Sequence, residues 1–153
     1  MGTTIHFEGQ LHSNLAFSLL MDRAAEYAAE YRLQFYPFQD KNSSLLRIRN
    51  DRMFEYRGRT KGIIIDPGAN GEVMVLEFDE TLFAQQSCKT QYGGIEAHLN
   101  VVNLLRLLHP CFNYLNVLDE TGFWETKDEE KLRMVFEKER ARTKKMMMKY
   151  GEK

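Results

Sequence analysis

Both cysteines and two of the four histidines of this chain fall in one stretch, SCKTQYGGIEAHLNVVNLLRLLHPCF, residues 87 to 112. Thiolates and imidazoles at close spacing bind metal, and a thiol beside an imidazole is a nucleophile with its base. The spacing does not suit zinc. Structural zinc sites use close pairs that one turn can aim inward, and here only His109 and Cys111 are close, with Pro110 between them. On a helix His98 and His109 stand three turns apart, ~16 Å along the axis, against ligand distances of ~2 Å. A nucleophilic pair would need Cys88 near the start of the helix after Gly94, where Lys89 and the helix dipole lower a thiol pKa. His98 would then face back towards it. No oxyanion-hole signature accompanies the pair, and Glu96 is the only nearby acid to orient the ring. Cys88, His98, His109 and Cys111 therefore read as parts of a buried helix and its ends, with no metal, no cofactor and no catalytic residue.

Two other constellations carry chemistry. LRIRNDRMFEYRGRTK, residues 46 to 61, alternates cations with apolar residues over two extended pieces. If those strands are neighbours, Arg47, Arg49, Arg57, Arg59 and Lys61 converge on one sheet face beside Phe54 and Tyr56. Such a face suits a phosphate, an RNA strand or an acidic protein; the alternative is a solvated face paired with Asp51 and Glu55. The carboxylates Glu8, Asp66, Glu77 and Asp79 lack the lysine that metal-dependent nucleases place two residues beyond an acid, and read as a wet sheet face. At the C-terminus five cations run from Arg140 to Lys149 with no acid between them, around Met146, Met147 and Met148.

The elements that must position these residues follow from periodicity. Thr3 to Leu11 alternates as a strand, and Ser13 or Asn14 caps a helix to about Tyr31. Arg32 to Phe38 is an edge strand, since Pro37 cannot donate to a ladder, and DKNSS is a turn. Leu45–Asn50 and Met53–Arg59 are extended, and Asp66-Pro67-Gly68 with Asn70-Gly71 closes a hairpin between Ile63–Ile65 and Val73–Phe78. Gln85 to Gln91 is a polar connection. A helix from Gly94 to His109 is apolar over more than half its circumference and ends at Pro110. Leu115–Asp119 and Phe123–Trp124 are extended, and Thr126 with Glu129 forms a capping box for a last helix that leaves the body or frays beyond Arg140. These elements predict an α+β protein with a mostly antiparallel sheet of six or seven strands and three helices, the middle one largely buried. The expected division is one domain over 1–139 and a basic, Met-rich extension over 140–153.

LNVLDETGFWETKDEEKL, with KTQYGG and the apolar helix before it, resembles small bacterial proteins of uncharacterised function over most of the chain. The resemblance implies no activity. It does draw together Lys89, Thr90, Gln91, His98, Trp124 and Glu125, which would mark a ligand cleft if the fold gathered them.

A net charge of −1 excludes a general attraction to DNA or anionic lipid. Sparse thiols, no signal-like N-terminus and no bilayer-length apolar run predict a cytoplasmic protein with no membrane contact. Without a nucleophile motif, phosphate loop or metal spacing, the expected function is non-catalytic binding of a protein or polyanion through the basic sheet face or the C-terminal helix. The alternative is an enzyme with a non-standard cleft at Lys89, His98 and Glu125. The Arg32–Phe38 edge and the Met-rich helix end are the two surfaces for a homodimer.

Overall fold

A computed structural model describes residues 2–68 and 71–150. The chain runs β1 (Thr4–Leu11), α1 (Asn14–Glu30), β2 (Phe35–Arg49), β3 (Arg52–Ile65), β4 (Met74–Phe78), β5 (Phe83–Lys89), α2 (Gly94–Leu108), a 3-10 turn (His109–Cys111), β6 (Phe112–Asp119), α3 (Phe123–Thr126) and α4 (Glu129–Tyr150). Over the described residues it is α+β, with six strands in two three-stranded antiparallel sheets of order β5-β1-β6 and β2-β3-β4. The sheets meet at the β4–β5 connection, a tight turn in which the Asp79 amide donates to Phe83 O at 3.0 Å. Beyond it the strands part, and the Gln86 side chain accepts the Glu77 amide at 3.3 Å.

Alternation puts Ile5, Phe7 and Leu11 of β1, Ile63 and Ile65 of β3, and Leu76 and Phe78 of β4 on inner faces. α1 and α2 cover them with Leu20, Ala24, Val101, Leu105 and Leu108. Ser13 caps α1, its hydroxyl accepting the Ala16 amide at 3.2 Å. The Tyr27 hydroxyl donates to Asn100 Oδ1 at 2.9 Å and so ties the two helices together.

Several elements differ from the sequence reading. Arg32–Phe38 and Leu45–Asn50 are not separate strands but one edge strand, β2, with a bulge between Asp40 and Ser43 in place of the expected turn. Asp40 Oδ1 accepts the Asn42 amide at 3.0 Å, so the polar residues make a local kink while the ladder to β3 continues on both sides. The reversal comes at Asn50 and Asp51, at φ 51° and 61°; these two residue types tolerate left-handed backbone, as a two-residue hairpin turn needs. The polar stretch from Gln85 is strand β5, held between the buried Phe83, Ala84 and Cys88. Phe123–Trp124 opens one helical turn, α3. The cap of α4 is Asp128, whose Oδ1 accepts the Glu130 and Lys131 amides at 3.1 and 3.2 Å. α4 remains helical to Tyr150, with every side chain from Arg140 onward exposed.

Candidate functional site

The strongest polar arrangement is a buried cluster where β5, α2 and β6 end together. His98 sits one turn into α2 on its inward face and has 0% exposure. Its Nδ1 lies 2.7 Å from Thr90 Oγ1 just beyond β5, and its Nε2 lies 3.0 Å from Asp119 Oδ2 at the end of β6. Thr90 Oγ1 also lies 2.7 Å from Thr3 O, which can only accept. A hydroxyl has one proton. When it goes to Thr3 O, Thr90 accepts from Nδ1–H while Asp119 accepts from Nε2–H. Both ring nitrogens are thus held by oxygen partners, Nε2 facing the Asp119 carboxylate with Thr121 Oγ1 also 3.2 Å away. Asp119 further accepts the Thr121 amide at 2.9 Å, the Thr121 hydroxyl at 2.7 Å and the Trp124 amide at 3.0 Å. Burial pushes the Asp119 carboxyl up, but hydrogen bonds and charge from His98, with those from Thr121, outweigh it and hold it below the usual aspartate range. The phenyl rings of Phe136 and Phe123 close the cluster, with centroids 5.5 and 6.4 Å from the imidazole.

This arrangement gathers part of the expected cleft. Thr90 and His98 touch, and the Trp124 backbone joins them through Asp119. Lys89 and Gln91 instead line an open cleft of about 400 Å³ between the start of β1 and the outer part of α4. His98 and Thr90 lie buried and do not line it. The Trp124 indole is half-buried under Arg106, whose guanidinium carbon is 4.8 Å from the ring centroid, and Glu125 is exposed on α3. Asp119 and Thr121, which complete the cluster, were legible only as a turn. Their signal is Asp-x-Thr-Gly, an aspartate that accepts its own turn amide two residues on.

The cysteine hypotheses have no geometric support. Cys88 is fully buried, with Sγ 3.7 and 3.8 Å from the carbonyls of Glu72 and Val73, and burial with the Glu72 charge pushes its thiol up to about 12. That is the opposite of an activated nucleophile. Burial likewise raises the Cys111 thiol, and His109 is exposed. Among the described residues no group of three or more His, Cys, Asp or Glu side chains could hold a metal ion.

The chain matches no family model, no curated protein and no solved structure. The resemblance carried by KTQYGG and DETGFWET therefore brings no activity with it, and surfaces have to be read from their side chains.

The basic strands are neighbours, but register separates their cations. Arg47 pairs with Phe54, Arg49 with Arg52 and Leu45 with Tyr56, so these share one face of the β2–β3 hairpin. Ile48 pairs with Met53, Leu46 with Glu55 and Ser44 with Arg57, so Arg57, and with it Arg59 and Lys61, belong to the other face. The five cations do not converge. Arg47 is 1% exposed and acts as a clamp, donating to Gln85 O at 2.7 Å and Glu77 O at 3.2 Å. Arg49 lies 3.9 Å from the centroid of Phe83, the first residue of β5. Arg57 pairs with Glu55. Lys61 Nζ donates to Asn14 Oδ1 at 3.0 Å and lies 4.2 Å from the Phe17 centroid. Arg59 and Lys61 line a cleft of about 410 Å³ in which Asp40, Asp79 and Glu80 offset their charge. Gln85 completes the clamp: its amide accepts from Ile48 N and donates to Ile48 O, both at 2.8 Å, as a neighbouring strand would. The far part of the hairpin is thus an arm folded over the outside of the β5-β1-β6 sheet.

Proposed function

We propose that this protein is a non-catalytic binding protein that engages a protein partner through the Leu46–Ile48–Met53 face of the β2–β3 arm, which borders a groove over the outer side of the β5-β1-β6 sheet. One observation carries the reading: Leu46, Ile48 and Met53 share that face and are 65%, 51% and 65% exposed. Large apolar side chains grouped on a held arm, beside Arg57, are the composition of an interface centre and rim. A polyanion has less support, because Arg47 is enclosed, Arg57 is paired and the Arg59–Lys61 cleft is balanced by acids. The enzyme reading around Lys89, His98 and Glu125 also has less support, because a side chain with no exposed surface has no path to a substrate.

The test is affinity capture with the intact protein and an Ile48→Asp/Met53→Asp variant, beside a thermal-shift panel of metals, nucleotides and metabolites. A defined protein retained by the wild type and lost from the variant, at unchanged melting temperature, supports the reading. A shift of several degrees with a small metabolite or a metal ion, and no variant-sensitive partner, would sink it. A second copy is the partner if the wild type sediments as a dimer and the variant as a monomer.

A further inference from the structure

We propose that the outer half of α4 and the cleft beneath it form a second docking surface, independent of the arm, for an acidic amphipathic helix of a partner protein. The first support is continuity. Leu132 and Phe136 are buried against the body, and the same stripe continues at four- and three-residue spacing through Glu139, Thr143, Met146 and Tyr150. That is the spacing of a helix–helix seam. Exposure rises as the body falls away, to 54% at Met146 and 66% at Tyr150, so the seam extends ~16 Å past its cover. Polarizable, unbranched methionines suit an adaptable contact of this kind.

Charge decides the occupant. Residues 140–150 hold five cations and no acid, so two copies of this helix would repel each other along the whole overlap. Lys89 adds a cation on the opposite wall of the cleft. Lys149 flanks the seam, and among the described residues neither it nor Lys89 has a carboxylate at ion-pair distance. The acids of the cleft are already engaged: Glu120 takes the Thr4 amide at 3.1 Å and His6 at 3.2 Å, and Glu139 faces Arg142 at 3.8 Å. An acidic segment would answer the free lysines, whereas a second copy would not. Shape argues against a membrane. Met146 and Thr143 look into the cleft, towards Thr3 and Lys89, and a flat bilayer surface does not reach into such a notch.

The experiment uses the full chain and a fluorescein-labelled synthetic peptide about four turns long, with leucines at seam spacing and glutamates between them. Fluorescence anisotropy compares it with a scrambled peptide of identical composition. The seam peptide should bind at least ~10-fold more tightly than the scrambled one, and Met146→Ser/Tyr150→Ser and Lys89→Glu/Lys149→Glu should each weaken it about 10-fold. Added salt should weaken binding. Methyl NMR should show Met146 and Met147 shifting while the buried Met74 stays in place. Ile48→Asp in the arm should leave the peptide affinity unchanged, which separates this proposal from the arm reading. Equal binding of the scrambled peptide overturns the proposal. So does tighter binding to phosphatidylserine vesicles or single-stranded RNA than to the peptide, or a dimer dissolved by the seam variant.

Discussion

Replacing Asp119 by Asn keeps the shape of the buried cluster and removes its negative charge. The wild-type carboxylate accepts from four donors: His98 Nε2, the Thr121 amide and hydroxyl, and the Trp124 amide. An asparagine keeps one oxygen, so its NH₂ must face either the Thr121 pair or the Trp124 amide and His98. In both orientations a donor meets a donor, and the buried His98 ring loses the carboxylate it faces. Breaking a buried pair from one side costs about 3–5 kcal/mol. With a urea dependence of about 2 kcal/mol per molar for a chain of this length, the unfolding midpoint should fall by about 1.5–2.5 M. Trp124 is the single tryptophan and its amide belongs to the cluster, so its fluorescence reports the transition directly. The acid limb gives a second readout. Because the folded carboxyl lies below its unfolded value, its contribution is present above the ordinary aspartate range near pH ~4 and is lost as pH falls through the depressed folded value. Asp119→Asn should flatten that part of the profile. A cycle with His98→Gln should show coupling of about 2 kcal/mol. A midpoint shift below about 0.5 M, roughly 1 kcal/mol, with an unchanged acid limb would refute the charged-pair reading.

Arg47→Ala should free the arm, destabilising the chain by about 2–3 kcal/mol and speeding trypsin cleavage after Arg49 and Arg52; unchanged proteolysis would show that the clamp does not hold the arm. Gly62→Ala should cost about 3 kcal/mol or more, because its Cβ would fall inside the shell of Leu76 O in the adjoining strand, and a melting temperature near wild type would contradict the β3–β4 register. Both thiols should stay silent to Ellman's reagent at pH 7 until urea unfolds the chain, since Cys88 and Cys111 are buried with raised thiol pKa values. Rapid labelling of the folded protein would reopen the nucleophile hypothesis.

Periodicity in the sequence was enough for β1, α1, the hairpin ending in β4, α2 and the end of β6. Each of these buries one face against a wet one, and a face buried on one side writes its period into the residues. The same reasoning missed β5, whose glutamines are not spent on solvent: Gln85 completes the edge of the arm and Gln86 caps the Glu77 amide. It also split β2 at Asp40–Ser44, because polar turn formers signal a kink without saying whether the ladder resumes beyond it. The candidate site suffered the same division between local and distant information, and the cluster at His98 shows how. That Thr90, His98 and Trp124 would end near one another was legible as a possibility, since one buried helix links them. That they would be sealed, with His98 paired and closed under Phe136, was not.

Alternation alone placed Arg47 with Arg49, and Arg57 with Arg59 and Lys61, because side-chain parity along a strand is a local property. Whether the two sets met was decided by the pairing of Arg47 with Phe54, which the tight turn at Asn50–Asp51 sets and which puts them on opposite faces. One set then became a clamp and the other a rim beside exposed leucine, isoleucine and methionine. The sequence by itself determined an α+β chain of alternating strands and amphipathic helices; only tertiary structure decided which cations were enclosed, which thiols were silenced and which apolar residues were left facing outward, because register and burial are relations between distant segments.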